Sequence, residues 1–149
     1  MTMVAALFSR FRRKTTPPVV CSMHLDDPGH VHGPACFVEI QPLSVVELFQ
    51  SQGCQACPPA VSGILEGVKS DPNSILLTYN VTYFDYLGWP DTRAKKQWDI
   101  RQRAYVSKWG RNMIFTPMVV VDGMADGTGV SNSNEVRELI ANARDMKKQ

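Results

Sequence analysis

The arrangement that most restricts the fold lies just after Ser44. An apolar strand pattern, a tight turn, two cysteines and a helical pattern follow one another without interruption. Val45-Val46-Glu47-Leu48-Phe49 is a short run rich in strand formers and reads as a buried strand. Ser51-Gln52-Gly53 then turns the chain into Cys54. Cys54 and Cys57 have C-x-x-C spacing. Val61, Ile64, Leu65 and Val68 follow at i, i+3, i+4 and i+7, which is one apolar face of a helix. A C-x-x-C at a strand-to-helix join points to redox chemistry before it points to a static disulfide.

The alternation continues downstream. Asp71-Pro72-Asn73-Ser74 ends the helix, and Ile75 to Tyr83 is rich in strand formers. Tyr83-Phe84-Asp85-Tyr86-Leu87-Gly88-Trp89 is predicted to be an aromatic loop. Residues 92–109 read as a long helix with an inner stripe of Ala94, Trp98, Tyr105 and Trp109, ended by Gly110. Thr116-Pro117 opens a strand through Val121. Asp122-Gly123 is a hairpin signal, with a partner strand expected over 124–128. Asn132 with Glu135 three residues on predicts a capping box, and Val136, Leu139, Ile140 and Ala143 form the apolar face of a last helix. The first two strands need a helical crossover and are predicted to be parallel, and the last pair antiparallel. The expected fold is α/β, a mixed four- to five-stranded sheet with helices on both faces. That is the thioredoxin-like layout.

Residues 1–43 are expected to form an arm and residues 44–149 the folded domain. The arm starts with Arg10, Arg12, Arg13 and Lys14 and has no acid before Asp26. Such a start fits either a loose basic tail or a mitochondrial transit segment. A secretory signal is not indicated, because the charges follow the short apolar stretch at 4–8 instead of preceding it. Proline and glycine punctuate the rest of the arm, with one short edge strand expected at 37–40. Apolar runs such as 75–77 and 118–121 fall far short of the roughly 20 residues of a membrane-spanning helix, so no membrane partner is expected. The expected location is intracellular, cytoplasmic with the mitochondrion as the alternative. A net charge of +2 is too mild to argue for nucleic acid.

The chemistry centres on Cys54 and Cys57. Disulfide exchange needs a thiolate, and the positive end of a helix favours one at Cys54. The expected roles are attack by Cys54 and resolution by Cys57. The alternatives are a static disulfide or half of a zinc site, for which no second C-x-x-C exists. Thr116-Pro117 is expected to be cis, opening its strand beside the cysteines and offering the Thr116 backbone to an extended substrate. Glu47 is either a buried carboxylate that carries the Cys57 proton or a residue that reaches solvent or a lysine. Tyr83, Tyr86 and Trp89 are expected to wall the groove beside Cys54, and Gln52 is expected to contact the substrate. Pro58 and Pro59 complicate the helix start. A residue before proline avoids the α region, so the regular helix is expected to begin near Pro59 with Cys57 outside it.

Several segments together resemble a known family. They are Ser51-Gln52-Gly53-Cys54, Cys57-Pro58-Pro59-Ala60, Asp85-Tyr86-Leu87-Gly88-Trp89, Arg101-Gln102-Arg103-Ala104-Tyr105, Thr116-Pro117 and Val120-Val121-Asp122-Gly123. In this order they resemble the thioredoxin-like family named domain of unknown function 1223. The resemblance covers roughly residues 45–129 and implies a thioredoxin-like fold without supplying a reaction. Three positions depart from it: the family commonly has His at Asn80, Asp at Thr82 and Gln at Met118. Bacterial members look exported. This chain has no clear export signal, so a periplasmic setting is not carried over.

Two further groups are worth naming. Cys21, His24, His30, His32 and Cys36 are all metal-ligating types within one short stretch, but their spacing matches no finger pattern, and a flexible arm that happens to hold them accounts for them. Arg93, Lys95, Lys96, Arg101, Arg103, Lys108 and Arg111 face only one acid, Asp99, within their segment, and a solvated helix face accounts for them. Two functions follow. The first is a thiol-disulfide oxidoreductase acting on a thiol- or disulfide-bearing protein or small thiol, with no organic cofactor. The second is a non-catalytic thioredoxin-like module that binds a metal ion or a protein partner.

Overall fold

The structure, a computed structural model, describes residues 19–21, 37–39, 41–127 and 132–148. The chain divides into two compact units, Met1–Gln41 and Pro42–Gln149. In the first, β1 (Val19–Cys21) and β2 (Phe37–Glu39) form an antiparallel two-stranded sheet, with Val20 opposite Val38. The short strand expected at 37–40 therefore pairs within its own unit and is not an edge of the main sheet.

The second unit runs β3 (Ser44–Gln50), α1 (Cys57–Lys69), β4 (Ser74–Asn80), α2 (Lys96–Lys108), β5 (Met118–Val121), β6 (Ala125–Gly127) and α3 (Ser133–Lys148). Its four strands lie in the order β4-β3-β5-β6. β3 is parallel to β4 across the α1 crossover, while β5 is antiparallel to both β3 and β6. The result is an open mixed sheet consistent with a thioredoxin-like fold, with four strands. β3 is hydrogen-bonded on both sides, and apolar residues cover both of its faces. That is why its sequence is nearly continuously apolar and not alternating.

Residues of one parity on β3 and β5 meet α1 and α3. Val46, Leu48, Val119 and Val121 pack with Ala60, Ile64, Val68, Val136, Ile140 and Ala143. Burying an aliphatic side chain of this kind stabilises the fold by about 1.5–3 kcal/mol. Leu65, expected on the inner face of α1, points outward, because the buried line runs Cys57, Ala60, Ile64, Gly67 and Val68. At Gly67 α1 and α3 are in close contact: a Cβ there would lie 2.7 Å from the Val136 Cβ and 2.8 Å from the Ser133 carbonyl oxygen. α3 is capped as expected, the Asn132 Oδ1 accepting from the amides of Asn134 (2.8 Å) and Glu135 (3.2 Å).

The opposite parity meets α2. Phe49, Met118 and Val120 pack with Val81 and Val106, and the rings of Tyr79, Tyr83, Phe84, Tyr105 and Trp109 close around them. Here the expected stripe needs correction. Ala94 precedes the helix, and the residues α2 buries are Gln102 and Val106, flanked by half-buried Trp98, Tyr105 and Trp109. The buried line thus contains a polar member, which periodicity of apolar residues does not detect. Between β5 and β6 the chain turns through Asp122 (φ 54) and Gly123 (φ 67), as the hairpin signal required. Asp122 also fastens the end of β3, its Oδ1 accepting from the Val45 amide at 2.9 Å. No helix among the described residues is long and apolar enough to cross a membrane.

Candidate functional site

β3 carries the chain to the site. Beyond it, Ser51 organises the turn: its hydroxyl accepts from the Gly53 amide (3.1 Å) and its carbonyl from the Cys54 amide (3.1 Å). α1 begins at Cys57, with Ala56 as its cap and Pro58 and Pro59 in its first turn. The helix therefore starts two residues earlier than the prolines suggested. The first N–H groups of a helix have no intrahelical partner, so prolines there forfeit no hydrogen bond, and Cys57 is accepted into the α region ahead of them. The Cys57 amide donates to the Cys54 carbonyl at 3.2 Å.

Cys54 and Cys57 are both free thiols and both buried, at 4% and 3% exposure. The Cys54 thiol donates to the carbonyl oxygen of Thr116 at 3.6 Å. The Thr116–Pro117 peptide bond is cis. The Cys57 thiol is pushed up to about 12, chiefly by burial and then by its neighbour Cys54, against weaker opposition from the Ser51 backbone and Thr116. The structure thus brings Cys54, Cys57, Thr116 and Pro117 together.

A loop closes over this corner. Phe84 sits against Gly53, where a Cβ would lie 3.0 Å from the Phe84 Cβ. In and just after a short 3₁₀ turn at Asp85–Leu87, Tyr86, Leu87 and Trp89 stand exposed at 82%, 57% and 67%. Gln52 is also exposed. Its amide is held by a residue the sequence reading missed. The Asp91 Oδ2 accepts from the Gln52 amide (2.8 Å) and the Asn80 side-chain amide (2.7 Å), and its Oδ1 accepts from the Arg93 amide (2.9 Å). Burial raises the Asp91 carboxyl, but these donors outweigh it and hold the group below its ordinary value. The signal available in the sequence was local: an aspartate after a proline, two residues before Arg93, is placed for an Asx turn.

Glu47 is not brought to the cysteines. Its neighbours Val46 and Leu48 face α1, so Glu47 faces α2. There its Oε2 accepts from the Arg101 Nε at 2.5 Å and its Oε1 from the Tyr105 hydroxyl at 2.5 Å. The carboxylate is buried, and it reaches neither solvent nor a lysine. Arg101 lies over the rings of Tyr79 and Tyr105, at 5.5 and 5.4 Å from their centroids. Alternation along β3, with Val46 and Leu48 on the α1 side, places Glu47 on the sheet face opposite α1.

Of the candidate metal ligands, Cys21 belongs to β1, while its side chain and residues His24, His30, His32 and Cys36 lie outside the described residues. Among the described residues no group of three or more His, Cys, Asp or Glu side chains could hold a metal ion.

The family described as protein of unknown function (DUF1223) matches residues 45–149, a span that contains every described element of the main sheet and its three helices except the first residue of β3. The chain belongs to the DUF1223 family. A similar solved structure is the crystal structure of protein AGR_C_4864 from Agrobacterium tumefaciens, 35% identical, with a TM-score of 0.60 over 73% of this chain and 47% of that one. This DUF1223 chain thus spans about half the length of that structure. No curated protein matches it.

Proposed function

We propose that this DUF1223 protein exchanges thiols and disulfides through Cys54 and Cys57. The observation that carries the reading is the meeting of two free cysteines with the cis-Thr116–Pro117 carbonyl at one end of the sheet, 3.6 Å from the Cys54 sulfur. Cys54 attacks a substrate disulfide and forms a mixed disulfide, releasing one substrate thiolate. Cys57 then attacks the Cys54 sulfur, forming the Cys54–Cys57 disulfide and releasing the second thiolate. The reverse sequence oxidises a dithiol. An extended substrate lies along the Thr116 backbone, flanked by Gln52 and by the exposed rings of Tyr86 and Trp89. Its class is a protein segment or small molecule bearing a thiol or disulfide. Glu47 has no part in this reading, since its oxygens are engaged by Arg101 and Tyr105 on α2.

One observation favours a second reading. Both sulfurs are nearly enclosed, and enclosed cysteines are commonly inert. In that case the domain is a binding module, and the exposed 86–89 loop is the surface a partner meets. Alkylation followed by mass spectrometry across glutathione buffers separates the two. A reversible Cys54–Cys57 midpoint between about −120 and −270 mV supports exchange. A midpoint below about −300 mV, or a Cys54 that resists alkylation in the folded protein, overturns exchange in favour of the module.

A further inference from the structure

The two edges of the main sheet are unlike. β6 ends one side with three residues, and its Asp126 is paired with Arg111. A short, charged edge resists pairing with another chain. β4 ends the other side with seven residues, Ser74–Asn80, that include no charge and no proline. It follows β3 residue for residue, so no bulge turns it away. Ile75 and Leu77 share a face with Tyr79, but α2 covers only Tyr79, and they stand 41% and 40% exposed. A long, flat, apolar edge of this kind is a template for a further strand.

The backbone says which strand fits. The Asn73 carbonyl accepts from the Ser44 amide and the Val81 amide donates to the Gln50 carbonyl, both at 2.9 Å. Odd-numbered residues of β4 therefore turn their backbone groups toward β3, and even-numbered ones turn theirs outward. Two outward groups are already used: the Ser74 amide donates to the Asp71 carbonyl, and the Asn80 carbonyl accepts from the Lys95 amide, both at 3.2 Å. Among the described residues no backbone partner meets the Ser74 carbonyl, the Asn80 amide, or the amides and carbonyls of Leu76 and Thr78. This set is complementary to itself about Leu77. In an antiparallel pair with Leu77 opposite Leu77, Leu76 faces Thr78 and the two exchange both bonds. Ser74 then faces Asn80, and the free carbonyl of one meets the free amide of the other. A shift of two residues sets a residue with both groups free against one that is half used.

We propose that β4 pairs antiparallel with β4 of a second copy of this chain, about a twofold axis at Leu77, to make one continuous sheet across a dimer. The interface is isologous, as a twofold requires, and brings no like charges together. Leu77 meets Leu77 at the close, non-hydrogen-bonded position, and Ile75 meets Tyr79 beside it. The pairing is independent of the exchange reading.

The test is sedimentation equilibrium of the full chain from about 1 μM to about 1 mM. A species of twice the 16.6 kDa chain mass is expected, with the Leu76 and Thr78 amides exchanging hydrogen more slowly as it forms. Leu77→Lys sets two ammonium groups against each other at the axis, and Thr78→Pro deletes a donor that β3 does not use. Each is expected to weaken association at least about tenfold and to leave the unfolding midpoint of the monomer near that of the parent. Leu77→Cys is expected to give, on mild oxidation, a disulfide between the copies at position 77, located by mass spectrometry, whereas Ile75→Cys gives none at position 75. A chain that stays monomeric throughout the range overturns the proposal. So does a dimer that both edge variants leave intact, or one cross-linked at position 75 and not at 77. Leu76 and Thr78 amides already protected in the monomer overturn it as well, because a segment of the same chain then covers the edge.

Discussion

Against one face of the sheet, α1 and α3 bury Val46, Leu48, Val119 and Val121 under aliphatic side chains only. Against the other, Phe49, Met118 and Val120 are covered by α2 together with rings from β4 and the neighbouring loops, and a carboxylate of β3 and an amide of α2 are buried there. The first face has two helices in close contact at Gly67. The second has a single helix tied down by particular bonds: Glu47 to Arg101 and Tyr105, and Gln102 to Phe115. The contrast separates two ways of holding a helix on a sheet. Volume and shape hold α1 and α3, and so the aliphatic face is sensitive to any change of size. Polar partners hold α2, and so the aromatic face is sensitive to the loss of a single atom. The cysteines sit at the end of the sheet where the two faces meet.

Variants can break this comparison at either face. The largest effect is expected from Ile64→Ala, which empties a fully buried position on the aliphatic face and should cost about 2–5 kcal/mol in denaturant unfolding. A loss below about 1 kcal/mol would mean the two helices collapse into the gap and that the face is not tightly packed. Gly67→Ala tests the same face from the other direction. The added methyl meets Val136 and the Ser133 carbonyl, and a cost of about 1–3 kcal/mol is expected by equilibrium unfolding.

Next comes Asp91→Ala, which leaves the Gln52, Arg93 and Asn80 donors without their acceptor. A cost of about 1–3 kcal/mol is expected, together with faster amide hydrogen exchange at Gln52. Exchange unchanged at Gln52 would show that Ser51 holds the turn unaided.

The smallest effect at neutral pH distinguishes the faces most cleanly. Cys57, Tyr83 and Tyr105 each hold a proton more tightly in the folded chain, pushed up to about 12 from ordinary values of 9.0, 10.0 and 10.0. For the two tyrosines, which belong to the aromatic face, burial is the leading cause; for Tyr105 the adjoining Glu47 carboxylate adds to it. A group whose value is raised on folding stabilises the fold in full below its unfolded value, and that contribution disappears as pH rises through the folded one. Thermal stability should therefore decline between about pH 9 and pH 12, and the core of the aliphatic face contributes no titrating side chain to the decline. Tyr105→Phe should cost on the order of 1 kcal/mol at neutral pH and make the alkaline decline shallower. An unchanged slope would move the titration away from α2.

The same division explains what was legible in the sequence. Val46 and Leu48 on β3 and Ile64, Val68, Val136, Ile140 and Ala143 on the helices are apolar at regular spacing. Periodicity therefore found β3, α1 and α3, with only Leu65 assigned to the wrong side. The parallel crossover and the hairpin at Asp122 were legible from turn residues and pattern. The interior of α2 was not, because Gln102 is polar and its role depends on Phe115, a residue in another segment. Asp91 escaped for the same reason, since two of its three partners, Gln52 and Asn80, lie far from it in the chain. At the site, the cysteine pair and Thr116-Pro117 were legible as a motif. The place of Glu47 was not legible either: strand alternation turns it toward α2, and its partners Arg101 and Tyr105 lie in another segment.

The two prolines at the start of α1 have a further consequence. A helix normally opens with four amide hydrogens directed outward, and here Pro58 and Pro59 remove two of them while the Cys57 amide is occupied by the Cys54 carbonyl. That leaves Ala56 to supply the field an anion would feel. The proline pair therefore sets what this corner offers a bound anion: one backbone donor where an ordinary helix start presents several.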